Sequence, residues 1–312
     1  MRVLVTGATG FVGGRLVSAL REAGHAVTAL VRDADRYEPP ADVRVVEGDL
    51  LEPGTIAAAF QDIDAAYYLV HSMQAGADFE ERDRTAAHNF ADQATAADVE
   101  RVIYLGGLGE TGDQLSRHLR SRREVESILK EWGPPVTTLR AAIVIGAGSA
   151  SFDMIRQLAA RLPVMVTPKW VQTDCQPIAI DDVIAYLVGV LEAPSTVGRT
   201  YEIGGPEVLS YESLLRRTAN ALGQRLYVLR VPVLSPSLST YWVELVTDVP
   251  ASVARPLILG LKNPVVVTDD SITNEVDVEL TPLDTAIERA LAADGHIERP
   301  VSVDAERGRA AE

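Results

Sequence analysis

A single cysteine, Cys175, in 312 residues excludes an intramolecular disulfide and fits a reducing compartment. Lysine is nearly as scarce. Of 29 basic residues only Lys130, Lys169 and Lys262 are lysines, against 44 acidic residues and a net charge of −15. That balance opposes nucleic-acid binding, because a phosphate backbone demands a basic surface. The acids run along the whole chain rather than gathering in a tail. They read as a solvated coat of the kind halophilic cytoplasmic proteins carry, in preference to an acidic docking face. No run approaches the roughly 18 apolar residues that span a bilayer. Met1-Arg2 passes straight into Val3-Leu4-Val5, with no signal-peptide pattern. These absences predict a cytoplasmic protein with no membrane span and no nucleic-acid partner, and they leave its oligomeric state open.

The acidic coat carries its own test. Screening lengths fall from about 30 Å at 0.01 M salt to about 3 Å at 1 M. A self-repelling chain should therefore melt several degrees higher in molar potassium chloride than in dilute buffer. A flat dependence would remove the salt-adaptation reading.

What is present is an ordinary globular composition, 47% hydrophobic and 23% charged, long enough for one sizeable core with a small appended lobe. The first half alternates short apolar runs with helical patterns, the signature of βαβ units and a parallel sheet. Strands are expected at Val3–Thr6, His25–Val31, Val43–Val46, Ala65–Val70, Val102–Leu105 and Val136–Ile145. Helices are expected over about Gly10–Ala23, Phe79–Ala97 and Leu115–Trp132. In the second half Asp181-Asp182 opens a helix to Leu191, and Arg199–Ile203 is a returning strand. Ser210 caps a helix to Leu222, and Tyr227–Val231 is strand-like. Thr281-Pro282-Leu283-Asp284 has the form of a helix start, with a hydroxyl cap followed by proline. The fold class is thus α/β, a Rossmann-type doubly wound parallel sheet with a small C-terminal lobe. Residues 1–146 and 176–206 form the dinucleotide domain in this reading, 147–175 and 207–300 the lobe, and 301–312 a polar tail.

Thr6-Gly7-Ala8-Thr9-Gly10-Phe11-Val12-Gly13 follows a strand and opens a helix, which lifts it well above a bare glycine match. Gly7 permits the sharp turn, Gly10 the approach of a pyrophosphate, and Gly13 close packing of helix on strand. The helix N-terminus then faces the phosphates. Thr9, Phe11 and Val12 lie within the same turn. At the end of the second strand, Arg32 favours a 2′-phosphate and hence NADP(H), with NAD(H) also admissible because Asp33 adjoins it. Asp49, in Gly48-Asp49-Leu50, either bonds the adenine amino group or caps the turn before Pro53. Leu50 lies beside it.

With these residues placed, the chain resembles the extended and atypical short-chain dehydrogenase/reductases over nearly its whole length. The glycine spacing, Gly48-Asp49-Leu50, Tyr104-Leu105, Leu139-Arg140, the segment Pro177–Val183 and Gly204-Gly205-Pro206 carry the likeness. It is most similar to the branch of NmrA-like redox sensors, isoflavone-reductase-like enzymes and the nucleotide-binding accessory subunit of respiratory complex I. The resemblance implies a serine or threonine after the fifth strand and a Tyr-x-x-x-Lys on the next helix. This chain has neither: the strand ends in Gly106-Gly107, and His118 and Arg122 stand at the tyrosine and lysine spacing. Arg122 can hold a ribose but cannot release a proton. His118 can act as an acid, though Arg120 and Arg122 nearby disfavour its charged form. In this fold the end of the fourth strand adjoins the nicotinamide, so Val70, His71 and Ser72 are candidates to touch cofactor or substrate.

The sequence shows no metal-ligand spacing and no Gly-x-Ser-x-Gly elbow. Gly146–Ser151 reads as a loop entering a helix, and Cys175 as a small packing residue. Three functions fit: an NADPH-dependent reductase acting on an unidentified apolar carbonyl or quinone-like substrate, a non-catalytic redox sensor or assembly subunit, and a sugar-nucleotide epimerase. The missing hydroxyl, tyrosine and lysine weigh against the last. Trp170-Val171, Tyr241-Trp242-Val243 and Pro256–Leu259 either line an apolar cleft or fill the core of the lobe.

Overall fold

The computed structural model describes residues 1–71, 78–109, 117–167, 169–230 and 263–296. Its first half runs β1 (Arg2–Thr6), α1 (Phe11–Glu22), β2 (Ala26–Val31), β3 (Arg44–Glu47), β4 (Ala65–Tyr68), α2 (Phe79–Ala96), β5 (Arg101–Gly107), α3 (Arg117–Trp132) and β6 (Val136–Ala141). The second half adds β7 (Val144–Ile145), α4 (Ala150–Arg161), β8 (Val164–Thr167), β9 (Asp174–Cys175), β10 (Ile178–Ala179), α5 (Ile180–Glu192) and β11 (Thr200–Ile203). Last come β12 (Leu209–Ser210), α6 (Tyr211–Ala221), β13 (Tyr227–Arg230) and α7 (Leu283–Ala293).

Seven strands make one parallel sheet in the order β11-β6-β5-β4-β1-β2-β3. Val3, Leu4 and Val5 are fully buried, as expected where helices cover both faces of a parallel sheet. Successive side chains alternate faces. Tyr67 points toward the α1–α5 layer, where its hydroxyl donates to Leu187 O at 2.7 Å. Tyr68 enters the opposite layer, edge-on to Phe90 at 5.0 Å. A third cluster joins Phe152, Ile155 and Leu158 of α4 to Leu214 of α6 and Ile287 and Leu291 of α7.

Two polar ties lock the far ends together. Arg101, 5% exposed, donates to Val190 O at 2.8 Å, Leu191 O at 3.1 Å and the hydroxyls of Thr137 and Thr196. A cation thus sits on the last turn of α5, the negative end of the helix dipole. Asp182 accepts from Thr281 N at 2.9 Å and Thr281 Oγ1 at 2.7 Å. That contact corrects one expectation: Thr281 does not cap α7, whose N-cap is Pro282 with no side-chain bond. The Thr281 hydroxyl acts as a donor to Asp182 and so ties α5 to the start of α7 instead of accepting from the first amides of α7.

The expected sixth strand is also split. Its sheet pairing to β5 and β11 ends at Ala141, and Val144–Ile145 pairs instead with β10. The loop expected at Gly146–Ser151 leads into α4, capped by Ser149 Oγ, which accepts from Phe152 N. Among the described residues no helix is long and apolar enough to cross a membrane.

Candidate functional site

In an open parallel sheet, ligands bind outside the carboxyl ends of the strands where the strand order reverses. Here that point lies between β1 and β4, and the glycine turn occupies it. Gly7 has φ +72°, and a Cβ there would lie 2.8 Å from Leu69 O. A Cβ on Gly13 would come within 2.1 Å of Gly7 O, so only glycine lets α1 pack onto the turn. Thr9 and Gly10 are exposed, and Phe11 and Val12 are half-buried. Gly10 is the N-cap of α1, with no side-chain cap and no acid in the first turn. The first-turn amides are thus left for an anion. A cradle that a Cβ would fill, beside an uncapped helix end, fits a dinucleotide pyrophosphate. Arg15 stiffens this corner: it donates to Phe11 O at 2.8 Å and Ala147 O at 2.9 Å and stacks on the Phe11 ring at 4.7 Å.

Over β2 and β3, Arg32 and Arg36 are exposed and make no side-chain hydrogen bond or ion pair within the described residues. Glu47 Oε2 accepts from Ala34 N at 3.0 Å and holds the chain just beyond Arg32. Asp49 Oδ1 accepts from Leu51 N at 2.9 Å, which is the turn-capping geometry. Leu50 is buried, and its carbonyl accepts from Asn89 at 2.7 Å.

Over β4 and β5 the chain builds a buried polar cluster. Leu69 N donates to Thr6 Oγ1 at 3.3 Å, which holds the segment after β4 against the glycine turn. Val70 is half-buried there. His71 Nδ1 lies 3.3 Å from Asp83 Oδ2, and the Ser121 hydroxyl donates to the same oxygen at 2.9 Å. Because an ionised carboxylate only accepts, Nδ1 carries the ring proton in this pair. Burial pushes the His71 pKa down and the Arg122 charge adds to it, while Asp83 opposes both. Arg122 Nη1 donates to Leu105 O at 2.9 Å, and Tyr104 Oη donates to Arg122 O at 3.1 Å. His118 stands in the first turn of α3; its side chain lies outside the described residues, as do Ser72, the Trp170 side chain, Tyr241-Trp242-Val243, Pro256–Leu259 and the polar tail. Burial raises the Cys175 thiol to about 12, and Sγ donates to Leu209 O.

Asp83, Ser121 and Arg15 were not singled out from the sequence, although Asp83 left a trace. On α2 the buried face is Phe79, Asp83, Ala86, Ala87, Phe90, Ala91 and Ala94. A carboxylate at an apolar-stripe position signals a buried partner, since an unpaired buried charge is too costly to keep.

Residues 7–144 match a family of NAD(P)H-binding domains. The chain is 28% identical over 224 residues to the mitochondrial NADH dehydrogenase (ubiquinone) 1 alpha subcomplex subunit 9 of Dictyostelium discoideum, covering 68% of this chain and 61% of that protein. It is 28% identical over 236 residues to the ceramide reductase of Caulobacter vibrioides, covering 74% and 73%. In fold it is similar to the triphenylmethane reductase of Citrobacter sp., with TM-score 0.76 at 20% identity over 93% of this chain and 99% of that one. The same enzyme complexed with NADP(H) gives 0.73. The chain therefore carries an NAD(P)H-binding domain in a Rossmann-type fold. Its homologues lie among the NmrA-like and complex I subunit 9 proteins and the atypical short-chain dehydrogenase/reductases.

Proposed function

We propose that the protein is an NADPH-dependent reductase of an apolar carbonyl or quinone-like substrate. The observation that carries the reading is the glycine cradle at the uncapped end of α1, with Arg32, unpaired among the described residues, just after β2 and the His71–Asp83 pair after β4. Gly7, Thr9, Gly10, Phe11, Val12 and Gly13 hold the pyrophosphate. Arg32 takes the 2′-phosphate, Asp49 and Leu50 flank the adenine, and Val70, His71 and Arg122 lie toward the nicotinamide ribose. The substrate lobe in this reading comprises residues 147–175 and 207–300, of which 168, 231–262 and 297–300 lie outside the described residues. When bound, the nicotinamide supplies the hydride; the protein orients it, excludes water and manages the accompanying proton. The likeness to a ceramide reductase over nearly three-quarters of each chain favours an apolar substrate.

Oxidation of NADPH across a carbonyl and quinone panel tests the reading. If nothing is turned over while NADPH binds tightly, the sensor or assembly-subunit reading replaces it. The subunit 9 relatives and the absent hydroxyl and tyrosine favour that second reading.

Cofactor choice has a separate test. NADPH should bind more tightly than NADH, and Arg32→Ala should weaken NADPH alone. A charge-assisted bond is worth about 1.5–3 kcal/mol, or roughly tenfold to 150-fold in Kd. Calorimetry giving an unchanged NADPH/NADH ratio in the variant overturns the assignment.

A further inference from the structure

A carbonyl and its alcohol differ by a hydride and a proton, and the proton needs a carrier that titrates near neutral pH. The described groups at the β4–β5 edge leave few candidates. Arg122 is committed to Leu105 O, and a guanidinium is not a proton donor for general acid catalysis. Ser121 is committed to Asp83. Tyr68 is fully buried and Tyr104 nearly so, and burial drives both phenols above their usual range. The His71 side chain is largely buried at the strand end, Nε2 included, on the segment tied to the glycine turn through Leu69. It is oriented by a buried carboxylate that is itself fixed by a hydroxyl. An imidazole oriented through Nδ1 by a carboxylate exchanges protons at Nε2, a recurring arrangement for acid–base work.

We infer that His71, held through Nδ1 by Asp83, is the catalytic residue that carries the proton accompanying hydride transfer, the role that short-chain dehydrogenase/reductases give to tyrosine. The inference rests on the reductase reading above. In reduction, the substrate oxygen gains the Nε2 proton as imidazolium becomes imidazole, and solvent restores that proton. In oxidation the hydroxyl proton passes to neutral Nε2. Among the described residues two charged groups act on the ring: Asp83 from α2, which favours the imidazolium, and Arg122 from α3, which with burial disfavours it. Tyr68 of β4 and Tyr104 of β5 are neutral, and Gly7–Gly10 of the turn bring no charge. The sign follows. Reduction should slow as pH rises past a His71 pKa lying below the ordinary value near 6.5, and oxidation should quicken through the same range.

Dinucleotide binding tests the placement without turnover. Oxidised nicotinamide carries a positive charge and reduced nicotinamide does not, so protonated His71 should repel only the oxidised form. Between about pH 8 and about pH 5, a range spanning the ordinary histidine value, the ratio Kd(NADP⁺)/Kd(NADPH) should rise about fivefold or more, an ordinary coupling between adjacent sites. His71→Asn, whose amide can still donate to Asp83, should flatten it. If that variant does not fold, Asp83→Asn should displace the rise to lower pH, because it removes the charge that favours the imidazolium. A flat ratio in the wild type overturns the inference and leaves the reductase reading standing. With 9,10-phenanthrenequinone as probe, His71→Asn should lose about 10²–10⁴ in kcat with NADPH affinity intact; full activity in that variant also overturns the inference. If the wild type turns over neither the quinone nor any carbonyl while the ratio still rises, the reductase reading fails. His71 then lies beside the nicotinamide with no proton to carry.

Discussion

Gly10→Val will cost the protein its dinucleotide and keep its fold, whereas Gly13→Ala will cost it the turn itself. Gly10 has φ −84° and ψ 171°, extended backbone that valine adopts freely. A Cβ there meets only Gly7 O, at 3.1 Å. The added branches fill the exposed space where a pyrophosphate must reach the first amides of α1. Losing two charge-assisted bonds of about 1.5 kcal/mol each weakens NADPH roughly 150-fold, with little change in melting temperature. At Gly13 the obstacle is backbone: Gly7 O at 2.1 Å and Gly7 C at 2.8 Å from the new carbon. No rotamer relieves such a contact, so α1 must lift from β1. Overpacking typically costs about 1–3 kcal/mol and sometimes more, and the upper end applies when backbone must move. At about 2–4 °C per kcal/mol, Gly13→Ala should melt roughly 6–12 °C lower. If Gly10→Val binds NADPH normally, the phosphates do not lie on this turn.

The second large effect is expected at Arg101, which no ligand argument touches. Arg101→Met keeps the buried stem and deletes the guanidinium. Among the described residues Leu191 O then has no side-chain donor, Val190 O keeps only the Thr196 hydroxyl at 3.0 Å, and the Thr137 and Thr196 hydroxyls lose a partner. A buried polar group left unsatisfied costs about 1–3 kcal/mol. The total should be about 3 kcal/mol or more, read by urea or thermal denaturation, with NADPH affinity intact once folded. A loss below about 1 kcal/mol would mean that water replaces the guanidinium and that α5 needs no such anchor.

Much of the architecture was legible because it is written in short-range patterns. The continuous apolar run at Val3–Val5 and the glycine spacing that follows specify a strand, a turn and a helix within a dozen residues. The four-residue rhythm of Phe79, Asp83 and Ala87 marks the inner face of α2. Ser210 was legible as a cap and does cap α6, accepting from Ser213 N at 3.2 Å. The local pattern at Thr281, hydroxyl before proline, takes no account of a carboxylate 99 residues away. Asp49 fits two roles in the sequence; its bond to Leu51 reports the turn, and among the described residues its second oxygen takes no hydrogen bond.

By itself, then, the sequence determined the βαβ order, the glycine turn and the absence of a tyrosine from α3, each a property of residues near one another in the chain. Tertiary structure alone decided which buried polar groups meet. His71 finds Asp83 across 12 residues and Asp83 finds Ser121 across 38, while Arg101 reaches Val190 and Leu191 across 89 and 90. Hydropathy periodicity says that a position faces inward, but the partner it faces is set by how helices cross and how strands are ordered in the sheet. A buried charge is tolerated only when that packing delivers a partner. The glycine turn could therefore be read from eight consecutive residues, while the pair that orients His71 emerged only when α2 and α3 closed over β4 and β5.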